Sequence, residues 1–503
     1  MECSETARDK DAQRNRLREI FGVFFGTPGR SAATSAAAVV LVIVGYVILL
    51  PSGLFDDSEF VPTPWEEWGI PGDPPTERPL ITEWFDQSPT WQEAERLSAM
   101  PGVEEAVNRL AEDDDLSEED FAKALALLQA RGEAGIELTR VASNYSLGLL
   151  SEPSDDDYLR ANRPVREVAW TLYQLTSISL TGERTGREAE EWLEHFGEFV
   201  VSVMPLGESS LINNLSVHWT AGRFFDCALE WIPRQGGYES NVVVNLREQV
   251  ATLEQGSFDG IMRAFYGEAQ YSRHWLDERV GPGRAWTDRG ELGMYFDLSA
   301  DFPNWLGWLE VPANWWMLAR VQQNMTKAVI EERYRDSAQW LQLPPSERLT
   351  LDARNAPGWR EFLDPRPNAI GERILASYVP ETIQRTGRQM LATQTAATMV
   401  DIALAIAQWQ AAGGGPGLPA TLDELVPEFL DGIPIDPFSG RPFGYAAVRG
   451  VLWSVGMDGV DTGGKRPEEH RALTSELREG RSGTLDLWHV FQIEPDGDAE
   501  EAE

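Results

Sequence analysis

The sequence predicts a mainly α-helical protein with three parts: an N-terminal transmembrane helix, a multi-helix exterior domain, and a small C-terminal α+β module in which a long helix packs on a three-stranded antiparallel sheet. Three observations carry this. An uncharged apolar run lies near the N-terminus, amphipathic stretches with apolar spacings of three and four fill the middle, and the last quarter alternates short β-type runs with Pro and Gly turns.

The apolar run Ala32 to Leu50, "AATSAAAVVLVIVGYVILL", contains no charged residue. Its nineteen residues at ~1.5 Å rise reach ~28 Å, close to the hydrocarbon thickness of a bilayer. Arg8, Lys10, Arg14, Arg16, Arg18 and Arg30 precede it, whereas Arg78 is the first basic residue after it, beyond seven acidic side chains. That asymmetry predicts an uncleaved signal anchor at 31–51, with a basic cytoplasmic tail at 1–30 and the bulk of the chain outside the membrane. A cleaved signal peptide fits less well, because the run is long and ends in "LLPSGLFDDSEF" without an A-x-A pattern.

Residues 52–79 are rich in Pro, Gly and acid and read as a linker. From 80 to 342, stretches such as "SEEDFAKALALLQARG", "VREVAWTLYQLTSISL" and "NVVVNLREQVATLE" predict amphipathic helices, with acidic or small polar residues as start signals. The Pro-rich segment 343–367 reads as a boundary. The module 368–493 opens with a helix from Ile370 to Ala412 that stops at "GGGPG", followed by a short helix at "TLDELVPEFL" with Thr421 as N-cap and Glu424 at capping-box spacing. "IPIDPFSGRP" is excluded as a central strand by its prolines, "FGYAA", "VLWSVG" and "TLDLWHVFQI" are the three strands, and 494–503 is an acidic tail.

A formal charge of -38 repels nucleic acid and anionic lipid, so neither is an expected partner beyond the membrane that holds the anchor. Cys3 and Cys227 define no disulfide framework. No G-x-S-x-G, P-loop or H-E-x-x-H pattern is present. Glu268 and His274 fall on successive turns of one predicted helix, and carboxylates surround His195. The first two form an acid/base arrangement that no other motif supports, whereas the carboxylates around His195 read more readily as a solvated helix face than as a metal site. Trp305, Trp308, Trp315 and Trp316 read as core or interdomain packing, with a sugar- or membrane-binding surface as the alternative.

The pieces "LDELVP", "DPFSG" and "SVGMDGVD", within Ile383 to Ile493, resemble the C-terminal region of the major (G) pseudopilin of type II secretion systems. A similar arrangement closes large single-pass bacterial membrane proteins with a helical ectodomain. The resemblance implies a pseudopilin-like fold, a bacterial cytoplasmic membrane, a periplasmic body, and a loop that binds Ca2+ through Asp458 and Asp461. Asp436 reads as a turn former rather than a ligand. The chain departs from the family at its apolar segment, which lacks the glutamate of pseudopilins, so processing by prepilin peptidase is not expected. Two functional classes follow: a non-enzymatic anchored scaffold or interaction protein at a secretion or envelope apparatus, with unidentified protein partners, or a hydrolase of the exterior whose site lies in the helical domain.

Overall fold

The computed structural model describes residues 60–70, 78–111, 116–147, 155–181, 187–232, 240–280, 323–342, 369–414, 417–456, 460–465, 484–486 and 490–491. The predicted anchor at 31–51, the boundary at 343–367, Asp458, the four tryptophans from Trp305 to Trp316, and the acidic tail lie outside these residues.

Helices dominate the described residues, as the 3.6-residue periodicity predicts. They are α1 (Ile81–Gln87), α2 (Pro89–Ser98), α3 (Val103–Ala111), α4 (Glu118–Thr139), α5 (Asp155–Leu180), α6 (Ala189–Val203), α7 (Leu211–Trp231), α8 (Ser240–Val280), α9 (Gln323–Leu341) and α10 (Ala369–Trp409). Several start signals are visible as bonds. The Ser88, Ser117 and Ser210 hydroxyls accept from the N–H groups of Trp91, Asp120 and Asn213 at 3.2, 3.1 and 3.2 Å. Each satisfies a donor that a helix N-terminus otherwise leaves unpaired. Helix α10 ends where its glycines begin. Its backbone widens over Gln410–Gly414, Gly413 takes the left-handed φ of 98°, and Gly414 lies so close to the Trp409 ring that a Cβ would stand 2.2 Å from it.

Three short strands follow, β1 (Gly444–Ala446), β2 (Val451–Trp453) and β3 (Thr484–Asp486), antiparallel in the order β1-β2-β3. Tyr445 pairs with Leu452, and Leu452 with Leu485. The turn between β1 and β2 is closed by Gly450 at φ 61°. Before them, the short helix predicted at "TLDELVPEFL" is reduced to one 3₁₀ turn, Leu422–Leu425, because Pro427 offers no N–H to continue it, and its Glu424 carboxylate accepts from the N–H groups of Ala420 and Thr421 at 2.9 and 3.3 Å. "IPIDPFSGRP" forms no strand, as its prolines require, and closes as a loop through a single antiparallel bridge between Ile435 and Pro442.

Two expectations about organisation change. Helix α10 was expected to present an apolar stripe to its own sheet, yet from Met390 to Ala407 nearly every side chain is buried. It packs against α7, α8 and α9 as well as against the 422–425 turn. Gln389–Gly414 is long and apolar enough to cross a bilayer, but 89% of its most apolar window is buried within the fold. The reason is composition: Ala392, Ala396, Ala397, Ala403, Ala405 and Ala407 give a slim helix that others can approach from all sides. Consequently Ala392 to Ile406, Leu422, Leu425, Leu452 and Leu485 share one continuous core with the helices from Ile81 to Leu253. The helical region and the C-terminal module thus pack against each other through this shared core.

The second change concerns 52–79, read as a linker. Residues 60–70 lie against α8 and α9. Trp68 is wholly buried, Ile70 nearly so, and both belong to a second core with Phe265, Ile330, Tyr334 and Leu341. Trp65 and Trp68 meet the Tyr266 ring edge-on at 5.0 and 5.1 Å. Beneath them the Glu331 carboxylate accepts from the Thr63 N–H and from the buried Arg273 guanidinium. The aromatic payload of "WEEWGI" outweighs the Pro and acid content on which the linker reading rested.

Candidate functional site

The loop that carries Asp461 is built around Trp453, the last residue of β2. The indole Nε1 donates to Asp461 Oδ1 at 3.0 Å, and the Gly463 N–H donates to the same oxygen at 2.8 Å. The Arg449 guanidinium lies 5.4 Å over the Trp453 ring and donates to the Gly463 carbonyl at 2.6 Å. Gly463 and Gly464 take φ values of 69° and 68°, and a Cβ on Gly464 would stand 2.5 Å from the indole. Only glycine fits that position, since both the left-handed backbone and the ring exclude a side chain.

These bonds hold the exposed Asp461 carboxyl below the usual carboxylate range, first through the Gly463 N–H, then through the Trp453 indole. An ionised carboxylate is the hard oxygen ligand calcium requires. One of its oxygens already serves two N–H donors, and Arg441 adds a positive field. Asp461 therefore supplies one uncommitted oxygen toward a shell of six to eight. Among the described residues no group of three or more His, Cys, Asp or Glu side chains comes together to hold a metal.

Asp436 is the better-organised carboxylate of the module. It is 1% exposed, and its Oδ1 accepts from the Phe438 N–H at 3.0 Å, the turn-forming bond that "DP" predicts. The same oxygen accepts from Ser454 Oγ at 2.9 Å, and Oδ2 accepts from the Val455 N–H at 3.1 Å. Its own N–H donates to the Arg441 carbonyl at 2.8 Å. A surface turn is thereby fastened to the end of β2, a role invisible in the local motif because Ser454 and Val455 are eighteen and nineteen residues away.

In the helical region the candidate acid and base groups disperse. Glu268 is buried and accepts from the Leu211 N–H at 3.1 Å, completing the N-terminus of α7. His195 pairs with Glu198 along its own helix at 3.2 Å, and Glu198, but not His195, lines an open groove of about 580 Å³ formed by α4, α6 and α8 together with Arg140, Glu194, Asn245, Glu248 and Gln249. His218 is fully buried, and burial drives its pKa down to about 4. Burial likewise raises Glu254, which accepts from Thr398 Oγ1 at 3.1 Å across the seam between α8 and α10. Tyr173 is pushed up to about 12 and the Cys227 thiol is raised as well, both chiefly by burial. None of these four shifted groups lines the groove. Perturbed groups that share a cleft indicate chemistry, whereas perturbation scattered through packing seams follows from burial alone.

Sequence reasoning missed the polar clasp of that same seam. Arg247 on α8 grips Asp401 on α10 through Nε and Nη2 at 2.6 and 3.1 Å, and its Nη1 reaches Gln408 Oε1 at 2.8 Å. The signal available was Asp401, the lone acid in the Ala-rich apolar stretch Gln389–Gly414. With this geometry in view, no protein-family model matches the chain, and neither does any curated protein or solved structure.

Proposed function

We propose that the chain is a membrane-anchored extracytoplasmic scaffold or interaction protein with a pseudopilin-like C-terminal module, working at a secretion or envelope apparatus. The observation that carries this reading is the enclosure of helix α10. Its apolar stretch is sheathed by α7, α8 and α9 and clasped by Arg247, so the module is built into a fixed body. A filament subunit would instead need its apolar helix free to pack against neighbouring subunits. Such a body offers surface rather than a moving part, and protein partners are its expected ligands. Within this reading Asp461, together with Asp458, forms a candidate Ca2+ site on the loop after β2.

Photo-crosslinking in intact cells tests the proposal. A crosslinker placed at Val448, which is 79% exposed on the β1–β2 turn, or at Val61, 77% exposed beside α9, is expected to give discrete adducts heavier than the 56.2 kDa chain. Protease added outside the cytoplasmic membrane should at the same time digest the bulk of the chain. Absence of adducts from both positions, or protection of the helical body from protease, overturns the reading.

A further inference from the structure

Asn214 and His218 lie one turn apart on the same face of α7 and are 1% and 0% exposed. Among the described residues, neither the amide nitrogen and oxygen of Asn214 nor the two ring nitrogens of His218 has a hydrogen-bond partner. Four such atoms left without partners would cost, in sum, an amount comparable with the whole stability of a domain. The space beside them is also unusual. Gly260 of the facing helix α8 is buried, yet among the described residues a Cβ built on it would meet a single atom within 4 Å, Asn214 Nδ2 at 3.5 Å. On the other side a Cβ on Gly207 would stand 3.0 Å from Asn214 Cα, so the amide is held from behind and faces the open volume at Gly260.

We infer that the face of α7 bearing Asn214 and His218, together with Gly260 of α8, forms an internal water site. The chemistry selects water over other occupants. The amide presents both a donor and an acceptor, and a neutral imidazole does the same. The occupant must therefore donate and accept at once, and it must be small enough for the space left by a missing side chain. A metal ion is a poor match, since an amide nitrogen does not ligate and no carboxylate contributes to the shift of His218, whose only cause is burial. The glycine at 260 is then explained by room for solvent rather than by backbone conformation, because it sits inside a regular helix where alanine is ordinarily preferred.

That preference gives the experiment a sign. In the full-length protein, Gly260→Ala is expected to lower Tm by several degrees, because the new methyl displaces the water and leaves the amide and imidazole without partners. In a dry cavity the same substitution raises Tm, through helix propensity and added contacts. A crystal structure of the wild-type chain that resolves ordered solvent is expected to place a water within hydrogen-bond distance of the Asn214 amide. A rise in Tm, or no solvent at that position, overturns the inference.

Discussion

The C-terminal module and the helical body bury polar side chains in opposite ways. Asp436, in a Pro-rich loop of the module, receives two backbone N–H groups and a hydroxyl. Asn214 and His218, in a regular helix, receive no hydrogen bond among the described residues. The difference lies in where backbone donors are spent. Inside a helix each N–H is committed to the carbonyl four residues back, whereas a loop keeps its N–H groups available. Three buried hydroxyls in the body avoid the problem by donating to the carbonyl of the preceding turn, as Thr176, Thr220 and Thr393 do at 2.7, 3.1 and 2.9 Å. An amide or imidazole needs partners of both kinds and has no such recourse.

If loop donors make Asp436 the stronger element, its removal should have the largest effect. Asp436→Ala strands the Phe438 and Val455 N–H groups and the Ser454 hydroxyl at a site that is 1% exposed. At roughly 1–3 kcal/mol for each buried group left unpaired, offset in part by water entering from the loop side, a loss of about 3–5 kcal/mol is expected in chemical denaturation. A loss below about 1 kcal/mol would mean that the loop rearranges freely and that the contrast with the helices is unfounded.

His218 is tested through pH. Burial depresses its folded-state pKa from 6.5 to about 4, so between these values the unfolded chain binds a proton that the folded chain refuses. Its contribution is fully present above pH 6.5 and is lost as pH falls toward 4, by at most about 3 kcal/mol for a shift of this size. Glu254, raised by burial, acts in the opposite sense, gaining stability as it protonates. The informative quantity is therefore the difference between wild type and His218→Leu, whose stability should fall less steeply across that window. Equal slopes would mean that the imidazole has solvent access.

The seam between the two regions should respond less. Arg247→Met breaks a forked pair with Asp401 whose side chains are 22% and 24% exposed, so the loss is expected near 1–2 kcal/mol, reduced by that exposure. A double-mutant cycle with Asp401→Leu should return a coupling of about 1 kcal/mol. Coupling indistinguishable from zero would mean that apolar burial alone joins α10 to the body.

What was legible in the sequence follows the same division between local and distant contacts. The Thr421–Glu424 turn, the glycine stop of α10, the first two strands and the Asp436–Phe438 turn each depend on residues a few positions apart, and the sequence states them directly; of the third predicted strand only Thr484–Asp486 is strand, while Val490 and Phe491 are helical. The enclosure of α10 was not legible, because its alanines show that other helices can approach but not which ones do. The docking of Trp65 and Trp68 on Tyr266 spans about two hundred residues and was hidden by the prolines around it. Of the candidate site, Asp461 was reached only through resemblance to pseudopilins, and its anchoring by Trp453 and Gly463 had no signal beyond the glycine pair.

The smallest expected effect belongs to that loop, which combines features of both regions: a carboxylate served by N–H donors, as at Asp436, but exposed. Calcium at a concentration equal to its Kd would stabilise the fold by RT ln 2, about 0.4 kcal/mol. General screening of a chain with a net charge of -38 can imitate so small a gain. The comparison therefore has to be made at fixed ionic strength and against magnesium, whose octahedral demand a shallow loop meets poorly. The double substitution Asp458→Asn, Asp461→Asn should abolish the calcium-specific part and leave the salt response unchanged. The single Asp461→Asn variant keeps the carbonyl oxygen that accepts from Trp453 and Gly463, so the loop should stay folded while losing a charged ligand. If wild type and both variants respond alike to calcium, the N–H donors alone account for the loop, and Asp461 is a smaller, exposed counterpart of Asp436.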